Sequence, residues 1–488
     1  MAGDRLISDI ERWRQLAIAL EADTGERQAL TRQAVAVAER YQQAVDSAPI
    51  YSVGADPATD SPATGFVEQA TPAAEVFAEV ERRVGDHGLR FDSGRMLGFI
   101  PGSGLHASAL GDYLAAVTNR YVGATYAAAD AVRMEQQILA WLASELGYPA
   151  TAAGDLTSGG SLANLSAIVA AREAHQIEPA TLAQQVIYCT ALAHHCLDKA
   201  IRVAGMHHAV LRRVAMDESY RMSPSALEQQ LQSDRRQGLR PWLLIASAGA
   251  TDTGSVDPLA ELAEIADRYG LWYHIDGAYG GAFALCDTGR ERLSGLGRSD
   301  SLVLDPHKGL FIPFGSGALL VRQGERLRSA FTQTANYMAD AERLAVGDLY
   351  EPHEYSLELS RHFRGLRIWL PLKLYGLAPF RAALQEKLLL AQYFHQQLAT
   401  IPGIQRGPAP DLSVVTFRYQ PQRGNSDDFN RALLQWIQQQ GRLFLTSTTL
   451  DGRYTLRLAI LAYRTHREVI DEVLETLRAG IEAVSATR

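Results

Sequence analysis

Lysine is the scarce residue in this chain. Of 47 basic residues only four are lysines, Lys199, Lys308, Lys373 and Lys387, and the rest are arginines. Arginine stays charged and offers no free amine, so any amine chemistry must come from one of these positions. Cysteine is scarcer still: Cys189, Cys196 and Cys286 cannot make a disulfide framework. No run approaches the roughly 18 apolar residues that would suggest a membrane span. No long basic run exists, and the net charge of −8 argues against nucleic acid or an anionic membrane as partner. The opening, MAGDRLISDIERWRQ, has acids where a signal peptide would be basic and then apolar. What remains is a large, reduced, cytoplasmic globular protein, 47% apolar and 21% charged. Its 488 residues give a prior of about three domains.

The pattern changes twice along the chain. Residues 4–22 and 28–45 have helical apolar spacing (Leu6, Ile10, Trp13, Leu16, Leu20; then Leu30, Ala34, Val37, Tyr41). A Pro/Gly/Ser/Asp-rich arm follows at 47–65. Two such helices cannot bury their faces on each other completely, so residues 1–105 read as a helical arm that packs on another domain or subunit. From 106 to 365, helices (131–147, 161–176) alternate with short apolar runs (185–191, 242–248, 271–276, 301–305, 316–322). This order predicts an α/β domain with a mainly parallel sheet. Within it, 257–270 reads as a helix with Asp257 as N-cap, Pro258 at its first position and Gly270 as the stop. Residues 366–488 read as a small α+β domain, with a strand at 413–419, a helix at 427–441, a hairpin around Asp451-Gly452 and a Thr465/Glu468 capping box.

Functional groups in parallel sheets collect at the carboxyl ends of strands. SLVLDPHKG (301–309) delivers Asp305, His307 and Lys308 there, where burial would lower the lysine pKa and free its lone pair for a Schiff base. The alternative is a lysine snorkelling off a strand end. The other lysines read as bland. Lys199 lies in a polar turn, Lys373 among large apolar residues, and Lys387 on a helix after Gln385 and Glu386. LWYHIDGAYGG (271–281) ends a strand in Asp276, followed by small residues. This is either a partner for a cationic ring nitrogen or a turn aspartate. In TSGGSLANLSAIVAAR (157–172), Gly159, Gly160 and Ser161 precede a helix and make an anion site, unless Ser161 is merely an N-cap. The segment matches neither a dinucleotide nor a P-loop motif. TALAHHCLDKA (190–200) brings His194 and His195 to a strand end. Their spacing does not suit a metal, but either imidazole could stack on a ring. The sequon at Asn164 lies in a helix and is discounted. Together, a phosphate cradle, a ring stack, a carboxylate for a pyridinium and an amine for an aldehyde are the parts that pyridoxal phosphate requires.

At these motifs the chain resembles the group II pyridoxal-phosphate-dependent amino-acid decarboxylases, over about residues 65 to 480. The resemblance implies an aspartate-aminotransferase-like (fold type I) homodimer whose N-terminal helices embrace the partner. It implies pyridoxal 5′-phosphate on Lys308, Asp276 on the ring nitrogen, Ala278 and His194 on the two ring faces, and Gly160 and Ser161 at the phosphate. Thr251 belongs to the cofactor pocket, and His307 sits beside the lysine. Tyr337, in TANYMAD, matches the tyrosine that protonates the carbanion, on a mobile lid at 332–356. Arg361 matches a family arginine near the site. Two positions depart from the pattern. Many relatives carry Asn where this chain has Asp305, which sits poorly beside a phosphate dianion, and Trp where it has Gly309. Gly102, and Ala124 reaching from the partner subunit, are smaller than counterparts in animal enzymes and would leave room for a large side chain.

The expected activity is decarboxylation of an L-amino acid, with an aromatic one favoured, to the amine and carbon dioxide. An aldehyde synthase ranks second, because that outcome goes with loss of the loop tyrosine. A desulfurase would need a loop cysteine, and a non-catalytic cofactor-binding protein would not need the intact set of residues.

Overall fold

The computed structural model describes residues 2–52, 66, 68–85, 87–332 and 350–487. The chain forms two compact units, Met1–Arg90 and Phe91–Arg488.

In the first unit the helix Ala2–Ala17 runs into a 3-10 turn, Ile18–Leu20, and a second helix spans Thr24–Ala44. Asp23 starts the second helix. Its carboxylate accepts from the Glu26 amide at 2.8 Å, and the Glu26 carboxylate accepts from the Asp23 amide at 2.9 Å, a reciprocal capping box. On the first helix Leu6, Ile10, Trp13 and Leu16 are each more than half exposed. A short ladder pairs Tyr51–Ser52 with Gly88–Leu89. Most of the arm expected at 47–65 lies outside the described residues.

The second unit is organised by a seven-stranded sheet. Its strands are β1 (Ala153–Thr157), β2 (Gln185–Thr190), β3 (Val210–Val214), β4 (Arg240–Ser247), β5 (Trp272–Asp276), β6 (Ser301–Leu304) and β7 (Gly317–Val321), in the order β1-β7-β6-β5-β4-β2-β3. β2 through β6 pair in parallel, and β7 runs antiparallel to both its neighbours. β1 therefore points the same way as the parallel strands, and all six carboxyl ends reach one edge. The five apolar runs of the sequence are β2, β4, β5, β6 and β7. Helices cover the sheet, which is why the central strands are apolar on both faces. β1 and β3 were not anticipated, because AGDLT and VLRRV carry charges inside the strand.

A buried relay joins the sheet to the helix Gly160–Ala174. Trp272 Nε1 donates to Ser301 Oγ at 2.8 Å, and Ser301 lies 2.8 Å from His274 Nδ1. His274 Nε2 lies 2.7 Å from Asn164 Oδ1, and the Asn164 amide reaches Cys196 Sγ at 3.6 Å. Because Ser301 already accepts from Trp272, its hydroxyl is free to donate to Nδ1. The neutral Nε2–H imidazole then completes the chain. Asn164 is fully buried in this relay.

Two expected caps are corrected. Pro258, not Asp257, precedes the helix Leu259–Tyr269. Asp257 is buried and accepts from the amides of Met222 at 2.6 Å and Ser247 at 2.7 Å, pinning the end of β4. The stop at Gly270 holds, with φ of +67°. His466 precedes the last helix, Arg467–Ala486, and Thr465 instead donates to the Gly94 carbonyl at 2.7 Å.

A smaller antiparallel sheet follows, formed by β8 (Ile404–Arg406), β9 (Val414–Tyr419), β10 (Thr446–Leu450) and β11 (Arg453–Ala459), in the order β8-β9-β11-β10. Asp451 and Gly452 both have positive φ, as a type I′ hairpin turn requires. Val415, Phe417, Leu456 and Leu458 pack with the helices Ser426–Gln439 and Arg467–Ala486, whereas Val414 and Ala459 join the core of the large sheet. Lys387, on the helix Ala378–Gln397, is fully buried. It donates to Glu386 at 2.8 Å and to the carbonyls of Tyr463 and Thr465. None of the described helices is long and apolar enough to cross a membrane.

The relay makes a pH prediction. Burial pushes His274 down to about 4, against about 6.5 in an unfolded chain. Its contribution is complete above the unfolded value and is lost as pH falls toward the folded one. Denaturant unfolding should therefore lose about 2 kcal/mol between pH 7 and 5 through this group. His274→Gln should show a correspondingly shallower pH slope, and an unchanged slope would remove the histidine from the account.

Candidate active site

One cavity of about 280 Å³ opens at the carboxyl edge of the large sheet. The segments after β1, β2, β4, β5 and β6 enter it in turn, so strand direction alone gathers residues far apart in sequence. Gly160, Ser161, His194, Thr251, Asp276, Ala278, His307 and Lys308 all line it. Tyr337 lies outside the described residues.

The segment after β1 makes the cradle. Gly159 has φ of +156°, a conformation essentially reserved for glycine, and Gly160 opens the helix Gly160–Ala174. First-turn N–H groups have no intrahelical acceptor and face the positive end of the helix dipole. Ser161 lies inside this turn and is not its cap. A Cβ on Gly160 would come to 2.9 Å from Asp305 Oδ2 and 3.2 Å from the Ala278 methyl, so the turn rests directly on the ends of β5 and β6.

Lys308 stands in a short helical turn, Pro306–Gly309, just past β6. Its amine is 3.0 Å from Asp305 Oδ2. Burial pulls the lysine pKa down, but Asp305 and then Asp276 outweigh it, so the shift is upward. The expected downward shift is therefore reversed: beside Asp305 the amine is favoured as its ammonium form. Asp276 ends β5 and is 9% exposed, and its Oδ1 accepts from the Ala278 amide at 3.1 Å. His194 accepts on Nδ1 from the Cys196 amide at 3.2 Å, which leaves the hydrogen on Nε2. Burial holds it below the usual histidine range, with Asp276 opposing. His307 donates from Nδ1 to the Ser316 carbonyl at 2.5 Å and is likewise lowered, first by burial. Cys196, also at the cavity, is pushed up to about 12 by burial, so it is a packing thiol and not a nucleophile.

The surroundings of the cavity are closely packed. Arg361 does not line the cavity. It is buried behind β1, 2.8 Å from Asp155 Oδ1 and 3.0 Å from Glu135 Oε2, and it also donates to the Leu156 carbonyl. Two carboxylates already hold it. Gly102 opens no space, because a Cβ there would meet the backbone carbonyls of His307 and Lys308 within about 2.5 Å. Ala124 is 1% exposed within its own chain. Gly309 is also tightly set, since a Cβ there would lie 2.2 Å from the Ala282 methyl.

Arg457 on β11 was missed. It is 4% exposed and donates to the carbonyls of Thr251 at 2.7 Å and Phe99 at 3.2 Å and to Thr446 Oγ1 at 3.0 Å. It thereby ties the small sheet to the cavity wall. A lone arginine in the apolar run LRLAILA was the available signal.

The storage of Lys308 as an ammonium is checkable without cofactor. At pH 8 an amine-selective reagent should modify Lys308 of the cofactor-free protein about tenfold more slowly than the exposed Lys199, read by peptide mass spectrometry. Equal rates would exclude the ion pair.

Residues 64–420 match the family model described as the pyridoxal-dependent decarboxylase conserved domain. An aromatic-L-amino-acid decarboxylase of Bacillus atrophaeus is 35% identical over 86% of this chain and 87% of its own. A phenylacetaldehyde synthase of Arabidopsis thaliana is 27% identical over 83% of this chain and 84% of its own. The crystal structure of Catharanthus roseus tryptophan decarboxylase in complex with L-tryptophan superposes with a TM-score of 0.87 at 24% identity, covering 95% of this chain and 99% of that one. This likeness establishes the fold. The cavity fits pyridoxal 5′-phosphate: a glycine cradle that a Cβ would fill, an amine held beside it and a buried carboxylate at a strand end. The chain belongs to the pyridoxal-dependent decarboxylase family and is a pyridoxal-phosphate-dependent amino-acid decarboxylase.

Proposed function

We propose that the chain converts an aromatic L-amino acid to its amine and carbon dioxide, with Lys308 as the cofactor-bearing amine and Tyr337 as the proton donor to Cα. The observation that carries this reading is the convergence of Lys308, Asp276 and His194 on one cavity. The aromatic preference is supported by the name of the Bacillus atrophaeus relative.

Pyridoxal 5′-phosphate supplies, when bound, an aldehyde for the substrate amine and a ring that accepts the electron pair left by departing carbon dioxide. The first-turn N–H groups of Gly160 and Ser161 would hold its phosphate, with Thr251 on the pocket wall. Asp276, anchored on the Ala278 amide, would keep a proton on the ring nitrogen. Ala278 and His194 would bound the ring. His194, held neutral by burial, packs without adding positive charge. Tyr337 would deliver a proton to Cα, and His307 is suited to relay it because its Nδ1 is committed to Ser316 and Nε2 is left as acceptor. The lid carrying Tyr337 would exclude water. A homodimer belongs to this reading, since the exposed apolar stripe of the helix Ala2–Ala17 suits a second copy. So does a reducing compartment such as the cytoplasm, given three buried free thiols.

A second reading, decarboxylation with oxidative deamination by molecular oxygen and water to an aldehyde, ammonia and hydrogen peroxide, is favoured by the phenylacetaldehyde synthase relative and opposed by the tyrosine at 337. Incubation with the twenty amino acids, with amines read by mass spectrometry and hydrogen peroxide and ammonia by coupled assay, separates the two. Aromatic amines without peroxide are expected, and stoichiometric peroxide would overturn the first reading.

Lys308→Ala should abolish both the visible absorbance of the bound cofactor and turnover. Retention of either would refute the lysine assignment. Tyr337→Phe should keep the absorbance but cut amine formation by roughly 10²-fold, with aldehyde, ammonia and peroxide appearing instead. An unchanged amine yield would sink that role.

A further inference from the structure

A cavity that takes an anionic cofactor is floored here by an acid. Asp305 is 2% exposed. Its Oδ2 takes the Lys308 amine at 3.0 Å, and its Oδ1 is buried with no hydrogen-bond partner among the described residues. Both oxygens lie within 3.2 Å of the position a Cβ on Gly160 would occupy. The carboxylate thus sits under the first turn of a 15-residue helix, whose free N–H groups and dipole favour an anion. Lys308 faces it, as does His307, whose Nε2 is 3.7 Å away. The charge of Asp276 bears on the same group of side chains, and the neutral His194 lies beside them.

We propose that Asp305 is a built-in rival of the cofactor's phosphate: it occupies the cradle's positive field in the cofactor-free chain, so the phosphate enters with uptake of a proton and is held more weakly than the cradle alone would hold it. This rests on the reading of Gly160 and Ser161 as the phosphate site. Two anions a few ångströms apart in a partly dry site repel strongly, and one proton removes a charge from the pair. A phosphate ester loses its second proton near about pH 6. Above that, the shared proton must come from solution, and affinity falls by up to about tenfold per pH unit. Cofactor loading then responds to pH through a residue that takes no part in the chemistry of the substrate.

The test uses the full-length cofactor-free protein and two probes without an aldehyde, 4-deoxypyridoxine 5′-phosphate and 4-deoxypyridoxine. Their affinities are measured by calorimetry between about pH 6 and 8.5, in wild type and in Asp305→Asn. The ratio of the two affinities isolates the phosphate, because Lys308, His307, His194 and Asp276 face both probes. In wild type the ratio should fall as pH rises, with about one proton taken up per phosphate bound. In Asp305→Asn it should be about tenfold larger at the alkaline end and nearly flat with pH. A ratio equal to or below that of wild type overturns the role of Asp305 and leaves the cradle standing. A ratio near unity in both proteins overturns the cradle itself. Should Asp305→Asn lack a cooperative melt, wild type alone decides. Binding heats that do not vary with buffer ionisation enthalpy would mean no proton uptake and would end the proposal.

Discussion

The active site depends on one constraint, the common direction of β1, β2, β4, β5 and β6. Five of the six strands that end at this edge send their following segments into the cavity, and stretches spread between residues 158 and 308 meet there. The register is held by packed strands and by the buried relay through His274, which stitches β5 and β6 to the cradle helix. A slip of one residue in β5 would turn Asp276 to the other face of the sheet, and the carboxylate would leave the cavity.

The electrostatics of the cavity are nearly self-contained. Asp276, Asp305 and Lys308 stand close together, with two histidines held neutral largely by burial. The net charge of the whole chain has little bearing on this balance. The free backbone N–H groups at the start of the helix Gly160–Ala174 carry no countercharge to be neutralised and cannot move away. The acid at 305 then decides how the lysine is stored before the cofactor arrives.

Much of this was legible in the sequence, for physical reasons. Strands buried on both faces announce themselves as apolar runs, and the chemistry-bearing residues follow them at once, as in LWYHID and SLVLDPHK. The illegible parts are those where a distant partner changes what a residue does. β1 was hidden because Asp155 reads as polar until Arg361 is seen buried against it. Thr465 and Asp257 look like caps, but long-range backbone groups claim both side chains. Lys387 looks like a surface residue until three acceptors close around it. Lys308 was found from its position, while its protonation depended on two carboxylates whose approach no spacing reveals.

Gly102 has a consequence for the placing of the lysine. The segment that contains it lies flush against the backbone of His307 and Lys308, with Ser103 and Gly104, the two residues that follow it, in left-handed conformations. That segment and the lysine turn therefore move as one piece. Enlarging residue 102 would not narrow the pocket in the ordinary way but would displace the reactive amine itself.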